Sequence, residues 1–335
     1  MIVSVIGCGS IGRRHLKGLL SISKSASITE VRGFDPDPSR IDQVQLEISG
    51  VKTFDALETC IFGADVLFIC APTSLHMTIY NQIKAIGSYH LFIEKPLSHN
   101  LDGCDQILFD QEVAKKHSVI GYMLRLHPVM KKAKEIIDSN KLGRVISVRA
   151  ECGAYLPLWH PWERYQDFYM SWKVGGGGAL LDISHEIDYL NYLFGDIEDL
   201  QGIFGTYSDL EITSDDLAIA ILKFKNGIIG QLQLDLLQHS RERSLKIIGT
   251  EGILKCDFIN NKIDSYILQN ECWESEAFVV DFDSIYHEEY LQFFNEIKGS
   301  KKMLANLKDG IKVMQVIEGI RTSSSSGNRI KLPIY

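Results

Sequence analysis

The sequence predicts an α/β protein with two parts, a doubly wound parallel sheet followed by a domain with a mostly antiparallel sheet. Up to about residue 121, short apolar runs alternate with amphipathic stretches, which is typical of βαβ units. Beyond that point, runs with partial two-residue periodicity are separated by turn signals at hairpin spacing. A chain of 335 residues is also longer than a single hydrophobic core usually supports. We therefore place a first domain at 1–121 and a second, α+β domain at 122–335.

The first domain opens on a β-branched strand and then alternates between strands and helices. Its predicted strands are almost continuous apolar runs, as expected of a parallel sheet that is covered on both faces. These strands occupy residues 2–6, 31–34, 66–70 and 90–93. The amphipathic segments predict helices at 11–20, 75–86 and 102–116.

The second domain combines half-buried strands with helices. Its predicted strands are 145–151, 217–224, 228–236, 244–248 and 253–258, and turn signals stand at 225–227 and 249–252. Its predicted helices are 129–137, 182–193, 284–297 and 304–321. The four serines at 323–326, followed by Gly327, predict a surface loop.

Composition excludes several classes of protein. The net charge of −8 and the isoelectric point near 5.7 argue against nucleic-acid binding, which needs a basic surface. The seven cysteines are scattered and form no C-x-x-C pair, which indicates reduced thiols in a cytoplasmic protein. The sequence shows no targeting peptide and no apolar run long enough to span a bilayer, so we expect no membrane partner.

A glycine-rich turn at 7–12 follows the first predicted strand and opens the first predicted helix. In this context a G-x-G-x-x-G pattern is typical of dinucleotide binding. The first glycine permits the tight turn, the second lets the backbone approach a pyrophosphate, and the third allows close packing of helix on strand. The residues predicted to hold the cofactor here are Gly7, Gly9, Ser10, Ile11 and Gly12.

Asp35 lies 23 positions after Gly12, at the end of the next predicted strand. A carboxylate at this place bonds a ribose 2′-hydroxyl and repels a 2′-phosphate, so the sequence favours NAD. Arg40 is close enough in sequence to join the same site, as are Arg13 and Arg14. These three cations leave NADP open as an alternative.

Glu94-Lys95-Pro96 follows the predicted strand at 90–93, at the edge of the sheet where ligands of doubly wound folds collect. A lysine beside a positively charged nicotinamide is suited to bond a substrate hydroxyl or carbonyl. A cis peptide bond before Pro96 would aim Lys95 at the ligand. Taken alone, the same three residues are also common in surface turns.

Four glycines at 175–178 precede a predicted helix that contains Asp182 and His185. Residues three apart share a helix face, and a carboxylate beside an imidazole fixes its tautomer. This arrangement suits His185 as the base that takes a hydroxyl proton, with Asp182 in support. The alternative is that Asp182 caps the helix and His185 is a hydrogen-bonded core residue.

Two further segments carry groups that bind carbohydrate, namely apolar faces for stacking and polar groups for hydroxyls. Arg125 and His127 follow the last strand of the first domain. Tyr155, Trp162 and Arg164 lie shortly before the glycine run. The alternative is that this aromatic segment packs on the domain as a cover and does not contact a ligand. His160, Glu163, Asp182 and His185 imitate a metal-ligand set, but the spacing matches no metal signature, so we expect no metal.

Taken in order, these motifs resemble the Gfo/Idh/MocA family, named for glucose–fructose oxidoreductase, inositol dehydrogenase and a rhizopine-catabolism protein. The resemblance covers most of the chain. The matching segments are 7–12, 71–76 (APTSLH), 94–96, 175–188, 215–216, 226–227 and 247–252. One departure concerns Asp182, because the family more often places its Asp four residues before the His.

The resemblance implies an NAD(P)-binding Rossmann domain and a substrate-binding and oligomerisation domain with an open sheet. It implies Lys95 and His185 as the catalytic pair, and a homodimer or homotetramer. It also implies further cofactor contacts from Ala71, Pro72, Thr73, His76 and Glu94. We therefore expect a sugar or polyol dehydrogenase, with two alternatives: a redox-neutral elimination or epimerisation on a retained cofactor, or a non-catalytic cofactor-binding regulator.

Overall fold

The computed structural model describes residues 1–159, 161–300 and 304–334. The chain forms two compact units: Met1–Met123 with Asp281–Ile311, and Leu124–Val280 with Lys312–Tyr335. From the sequence we placed everything after residue 121 in the second domain, whereas Asp281–Ile311 belongs to the first unit. The amphipathic pattern of that segment predicts a helix but does not specify the sheet that the helix covers.

The first unit contains a seven-stranded sheet. Its strands are β1 Ile2–Ile6, β2 Glu30–Phe34, β3 Val51–Phe54, β4 Val66–Ile69, β5 His90–Ile93, β6 Ser118–Ile120 and β15 Ala305–Asn306. Their spatial order is β15-β6-β5-β4-β1-β2-β3, and all are parallel except β15. This confirms the doubly wound parallel sheet. The sequence did not predict β3 and β6, which are only four and three residues long.

Helices surround this sheet. They are α1 Ser10–Ser21, α2 Ser23–Ala26, α3 Pro38–Glu47, α4 Leu57–Ile61, α5 His76–Lys84, α6 Cys104–Ala114 and α10 Phe282–Ile297. Phe68 of β4 and Phe92 of β5 stack with ring centroids 4.5 Å apart, and Phe293 of α10 packs edge-on against both. These buried rings form the centre of the core on one side of the sheet.

The second unit contains a nine-stranded sheet. Its strands are β7 Val145–Gly153, β8 Ile197–Gly205, β9 Leu217–Phe224, β10 Ile229–Asp235, β11 Glu242–Gly249, β12 Gly252–Asp257, β13 Lys262–Ile267, β14 Cys272–Ala277 and β16 Ile330–Lys331. Their order is β14-β13-β12-β11-β7-β10-β9-β8-β16, and only the β7–β10 pair among these strands is parallel. The mostly antiparallel sheet is therefore confirmed.

The helices of the second unit are α7 Pro128–Asp138, α8 Ala179–Asp182, α9 His185–Phe194 and the greater part of α11 Leu307–Ser326. The loop predicted at 323–326 is wrong, because these serines form the last turn of α11. The hydroxyl of Ser323 accepts from the backbone N–H of Gly202 at 3.0 Å and donates to the carbonyl of Asn328. The side chain of Ser323 thus bonds β8, a long-range contact that the local sequence pattern does not show. Among the described residues, no helix has the length and apolar character needed to cross a bilayer.

Candidate active site

The glycine loop joins β1 to α1, and two of its three glycines leave no room for a side chain. Gly7 has a φ of +95°, which favours glycine, and a Cβ there would lie 2.7 Å from the carbonyl carbon of Cys70. A Cβ at Gly12 would lie 1.8 Å from the carbonyl oxygen of Gly7. At Gly9 a Cβ would lie 3.6 Å from Nη1 of Arg40, an ordinary contact distance. The loop is therefore tightly packed at Gly7 and Gly12, whereas Gly9 between them has room for an approaching group.

The N-terminus of α1 has the properties of an anion site. Ser10 and Ile11 form its first turn, Gly9 is the N-cap, and no described side chain caps it or adds an acid to that turn. The first N–H groups of a helix carry partial positive charge and bind phosphate well. An accessible Gly9 beside an uncapped helix N-terminus therefore fits the pyrophosphate of a dinucleotide.

Asp35 follows β2 and is 5% exposed. Its Oδ2 accepts from the backbone N–H of Cys8 at 2.7 Å, and its Oδ1 accepts from that of Asp37 at 2.9 Å. Nη1 of Arg40 lies 3.5 Å from the same Oδ2. The carboxylate is thus fixed against the glycine loop, where the ribose of a bound dinucleotide is expected, and it has a cation beside it.

Residues 71–76 follow β4, at the same edge of the sheet as the glycine loop. Pro72 precedes the 3₁₀ turn Thr73–Leu75, and α5 begins at His76. The ring nitrogens of His76 lie 3.1 Å from the carbonyl oxygen of Pro96 and 2.9 Å from that of Ala71. Burial lowers the pKa of His76 below its usual value, against the opposing effect of these carbonyls. A neutral imidazole has one N–H and can donate to only one of these two carbonyls, so the His76 ring lies between the segments that follow β4 and β5 and bonds one of them.

Lys95 follows β5 at this same edge, and its peptide bond to Pro96 is cis. The backbone N–H of Lys95 donates to Oε2 of Glu94 at 3.2 Å, and Oε1 of Glu94 bonds Nε2 of His15 at 2.7 Å. Since β1, β4 and β5 are adjacent parallel strands, the glycine loop and Lys95 occupy one edge of one sheet.

In the second unit, two carboxylates hold the glycine run. Asp182 accepts from the backbone N–H of Gly178 at 3.1 Å and from the hydroxyl of Tyr169. Asp215 accepts from the backbone N–H of Leu180 at 2.7 Å. Gly178 has a φ of +121°, and a Cβ there would lie 2.2 Å from Oδ1 of Asp215. Glycine is required at this position, and Asp182 and Asp215 fix the turn around it.

The helix predicted over 182–193 is broken. Asp182 ends α8, whereas His185 begins α9, so the argument from a shared helix face does not apply. Both side chains are buried. Asp182 is bonded to the turn that leads into α8 and to the hydroxyl of Tyr169. Tyr169 could not be singled out from the sequence, because it is one of many aromatics in its segment.

Two ion pairs with buried carboxylates anchor the first turn of α9. The carboxylate of Glu186 accepts from Nε of Arg243 at 2.8 Å. Asp188 accepts from Nε of Arg125 at 2.9 Å and from Nη2 at 2.6 Å. Since His185 is the first residue of this helix, the two pairs fix its backbone position.

The substrate residues predicted from the sequence have different surroundings. Nδ1 of His127 accepts from the backbone N–H of Val129 at 3.2 Å and caps α7, and burial lowers the pKa of His127 to about 4. Tyr155 stacks on His239 with ring centroids 4.2 Å apart. Two other predicted residues lie on the exposed part of their segment: Trp162, which is 77% exposed, and Arg164.

Within the described ranges, no three His, Cys, Asp or Glu side chains are placed to hold a metal ion. His160, one of the set considered from the sequence, lies outside the described residues.

Two family models match the chain. A model described as an oxidoreductase family with an NAD-binding Rossmann fold matches residues 1–124. A model of the GFO/IDH/MocA C-terminal domain matches residues 130–255. The order of the two matches is that of the two sheets along the chain.

Relatives and solved structures match over nearly the full length. Myo-inositol 2-dehydrogenase of Thermotoga maritima is 25% identical, over 99% of this chain and 98% of the relative. A structure of levoglucosan dehydrogenase with NADH and L-sorbose superposes with a TM-score of 0.88 at 18% identity, covering 99% of each chain. The WlbA dehydrogenase from Bordetella pertussis, with NADH and UDP-GlcNAcA, gives 0.81 at 20% identity, again over 99% of each. At these identities the structural matches show the fold.

Proposed function

Because the chain belongs to the GFO/IDH/MocA family of NAD-binding oxidoreductases, we propose that it transfers a hydride between NAD and a carbinol or keto carbon of a sugar, nucleotide sugar or polyol. The observation that carries this proposal is the placement of Lys95 and the glycine loop at one edge of one sheet. The relatives named above act on, or are bound to, substrates of this chemical class.

The cofactor fits the residues of the first unit. Gly9, Ser10 and Ile11 are proposed to bind the pyrophosphate through backbone N–H groups, and Asp35 is proposed to bond the ribose. When bound, NAD supplies the hydride acceptor for oxidation, or the donor for reduction once it is reduced. Asp35 favours NAD because a 2′-phosphate would face a buried carboxylate.

In the direction of oxidation, Lys95 donates a hydrogen bond to the substrate oxygen and stabilises the negative charge that develops there. His185 takes the hydroxyl proton while the hydrogen on the same carbon leaves with its electron pair. The products are a ketone, a protonated imidazole and the reduced cofactor. Asp182 supports His185 indirectly through the glycine turn.

The proposal is tested by screening polyols, free sugars, anhydrosugars and nucleotide sugars for formation of NADH. Lys95→Ala is expected to lower turnover of an accepted substrate by about 10²–10⁴-fold while NADH binding is kept, and His185→Ala to act similarly. Full turnover by Lys95→Ala would refute the assignment. If cofactor stays bound through purification and the substrate changes with no net NADH, the redox-neutral alternative replaces dehydrogenation. Bound NADH with no reaction on any substrate would favour the regulator.

We further propose a homodimer or homotetramer, formed through the open face of the second sheet. Ile203, Ile219, Ile221 and Ile229 on β8, β9 and β10 are 61%, 43%, 50% and 43% exposed, although this face carries polar residues elsewhere. Ile203 and Ile219 are directly opposite in the strand pairing. Ile221→Lys should lower the mass measured by light scattering, and Ile259→Lys, at an exposed position outside this patch, should not.

We propose a cytoplasmic location, which is consistent with seven free cysteine thiols, six of them buried. The net charge of −8 supports the absence of a nucleic-acid partner.

A further inference from the structure

A buried histidine contacts Glu94, the residue that precedes the candidate catalytic lysine. His15 lies on α1 and its side chain has no solvent exposure. Its ring packs against Phe68, Phe92 and Tyr290, with centroid separations of 5.3, 5.2 and 5.4 Å. Burying an imidazole among aromatic rings costs free energy unless the ring makes a hydrogen bond there. That bond is the one to Glu94.

The His15–Glu94 contact continues to the backbone of the lysine. Nε2 of His15 lies 2.7 Å from Oε1 of Glu94, and Oε2 of Glu94 accepts from the N–H of Lys95 at 3.2 Å. Burial alone would raise the pKa of Glu94, but the bond to His15 and the charges of His15 and Lys95 lower it below its usual value. Glu94 is therefore an ionised carboxylate: one of its oxygens bonds His15 of α1 and the other accepts from the backbone N–H of Lys95.

A second buried acid lies in the same unit. Glu289 on α10 is 1% exposed. Burial and the charge of Glu94 raise the pKa of Glu289 well above its usual value. A protonated Glu289 adds no second negative charge beside Glu94.

We infer that His15 is a positioning residue for the proposed hydride transfer: through Glu94 it fixes the backbone of Lys95 relative to the helix that carries the glycine loop. Because α1 begins at Ser10, the element that presents N–H groups to the cofactor also holds the segment of the lysine. The inference rests on the proposed function for its effect on rate. The expected effect on the reactivity of the Lys95 side chain does not depend on the proposed function.

Two amide substitutions form a matched test. In His15→Gln the side-chain nitrogen is as many bonds from Cα as Nε2 of histidine, so it can donate to Glu94. In His15→Asn the nitrogen corresponds to Nδ1, which faces away from Glu94. Both variants remove the imidazole and both place an amide in the aromatic enclosure. A difference between them therefore reports on the bond to Glu94.

Three quantities are measured on the full-length variants: kcat and KM for an accepted polyol, NADH affinity by fluorescence titration, and the rate at which an amine-reactive reagent labels Lys95, followed by mass spectrometry. We expect His15→Asn to lower kcat about tenfold or more, with KM and NADH affinity within about twofold of the original values. The labelling rate of Lys95 should change in this variant. His15→Gln should stay within about threefold of the original protein in all three measurements.

Two results would overturn the inference. One is equal kcat and equal Lys95 labelling in the original protein and both variants. The other is a parallel loss of NADH affinity, thermal stability and kcat in both, which a merely structural role would produce. Where His15→Asn does not fold, His15→Phe replaces it, since phenylalanine fills the enclosure and cannot bond Glu94.

The labelling measurement separates this inference from the proposed function. If none of the screened compounds supports reduction of NAD by the original protein, the proposed function fails. The inference is then decided by labelling alone: a changed Lys95 rate in His15→Asn but not in His15→Gln supports it, and unchanged rates refute it.

Discussion

Arg125 and Asp188 form a buried bidentate ion pair in the second unit. Nε of Arg125 donates to Oδ2 of Asp188 at 2.9 Å and Nη2 donates to Oδ1 at 2.6 Å, with both side chains almost fully buried. The guanidinium carbon also lies 4.7 Å from the ring centroid of Tyr192. From the sequence we predicted Arg125 as a substrate contact, but this geometry makes it first an anchor of α9, the helix that begins at His185.

Removing one partner of this pair should destabilise the second unit. Arg125→Ala or Asp188→Ala leaves a buried charge without its partner, which costs about 3–5 kcal/mol in the free energy of unfolding. The double variant Arg125→Met/Asp188→Leu should lose less than either single variant, because no buried charge remains. Denaturant unfolding measures all three. An Arg125→Ala protein of unchanged stability but raised KM would instead support direct contact with the substrate.

Asp35 is expected to set the choice of cofactor. Asp35→Asn keeps an oxygen that can accept from the N–H of Cys8, but it removes the charge that repels a 2′-phosphate and leaves Arg40 to attract it. NADPH affinity should rise about tenfold and NADH affinity should fall, since hydrogen bonds to charged groups contribute about 1.5–3 kcal/mol. Fluorescence titration with both cofactors measures the change.

Arg40 provides the control for this prediction. Adding Arg40→Ala to Asp35→Asn should cancel the gain in NADPH affinity. An Asp35→Asn protein with the original preference for NADH would show that Asp35 only holds the glycine loop.

Asp215 should make the stability of the second unit depend on pH. Burial raises the pKa of Asp215 to about 6 against the bond from Leu180, and the charge of Asp182 adds to the rise. A raised carboxyl pKa favours the protonated form in the folded state, so its stabilising contribution is complete below about pH 4 and is lost as the pH rises through about 6. Asp215→Asn stays neutral throughout. Its stability relative to the original protein should therefore increase by up to about 3 kcal/mol between pH 4 and 7. Unfolding curves that shift in parallel over this range would contradict the prediction.

Local patterns predicted most of the fold. The apolar runs of β1, β4 and β5 and the alternation in β9 lie within a residue or two of the observed strands. Short strands such as β6, and the fully exposed β14, have too few buried residues to show a pattern. The sequence could not predict that α10 belongs to the first unit, because only tertiary contacts show which sheet an amphipathic helix covers.

The candidate site was predictable where backbone geometry demands a residue type, and less so where side chains meet over long distances. Gly7 and Gly12 are required by close approach, so the motif identifies them. His15 is 79 residues from Glu94 in the chain, and Tyr169 contacts Asp182 from a short 3₁₀ turn 13 residues earlier. No spacing rule links such pairs. The sequence therefore singles out Lys95 and His185 as candidates, whereas His15 and Tyr169 emerge only from the tertiary contacts.

Alanine substitutions at Gly12 and Gly9 should have different effects, the first on protein stability and the second on cofactor binding. A methyl group at Gly12 would clash with the backbone of Gly7 at 1.8 Å, so Gly12→Ala should lower the thermal midpoint by several degrees. Gly9 has a φ of −63°, which alanine adopts readily, and a Cβ there makes an ordinary contact. Gly9→Ala should cost only the modest penalty of alanine at an N-cap, about 1 kcal/mol.

The same methyl group at Gly9 would occupy the surface that a pyrophosphate must approach. Gly9→Ala should therefore weaken NADH binding about tenfold or more while the protein remains folded, because the phosphate oxygens can no longer reach the first N–H groups of α1. Calorimetric melting and NADH titration of Gly9→Ala beside Gly12→Ala give the comparison. Unimpaired NADH binding by a folded Gly9→Ala protein would place the pyrophosphate elsewhere, and the glycine loop would then be only a tight turn between β1 and α1.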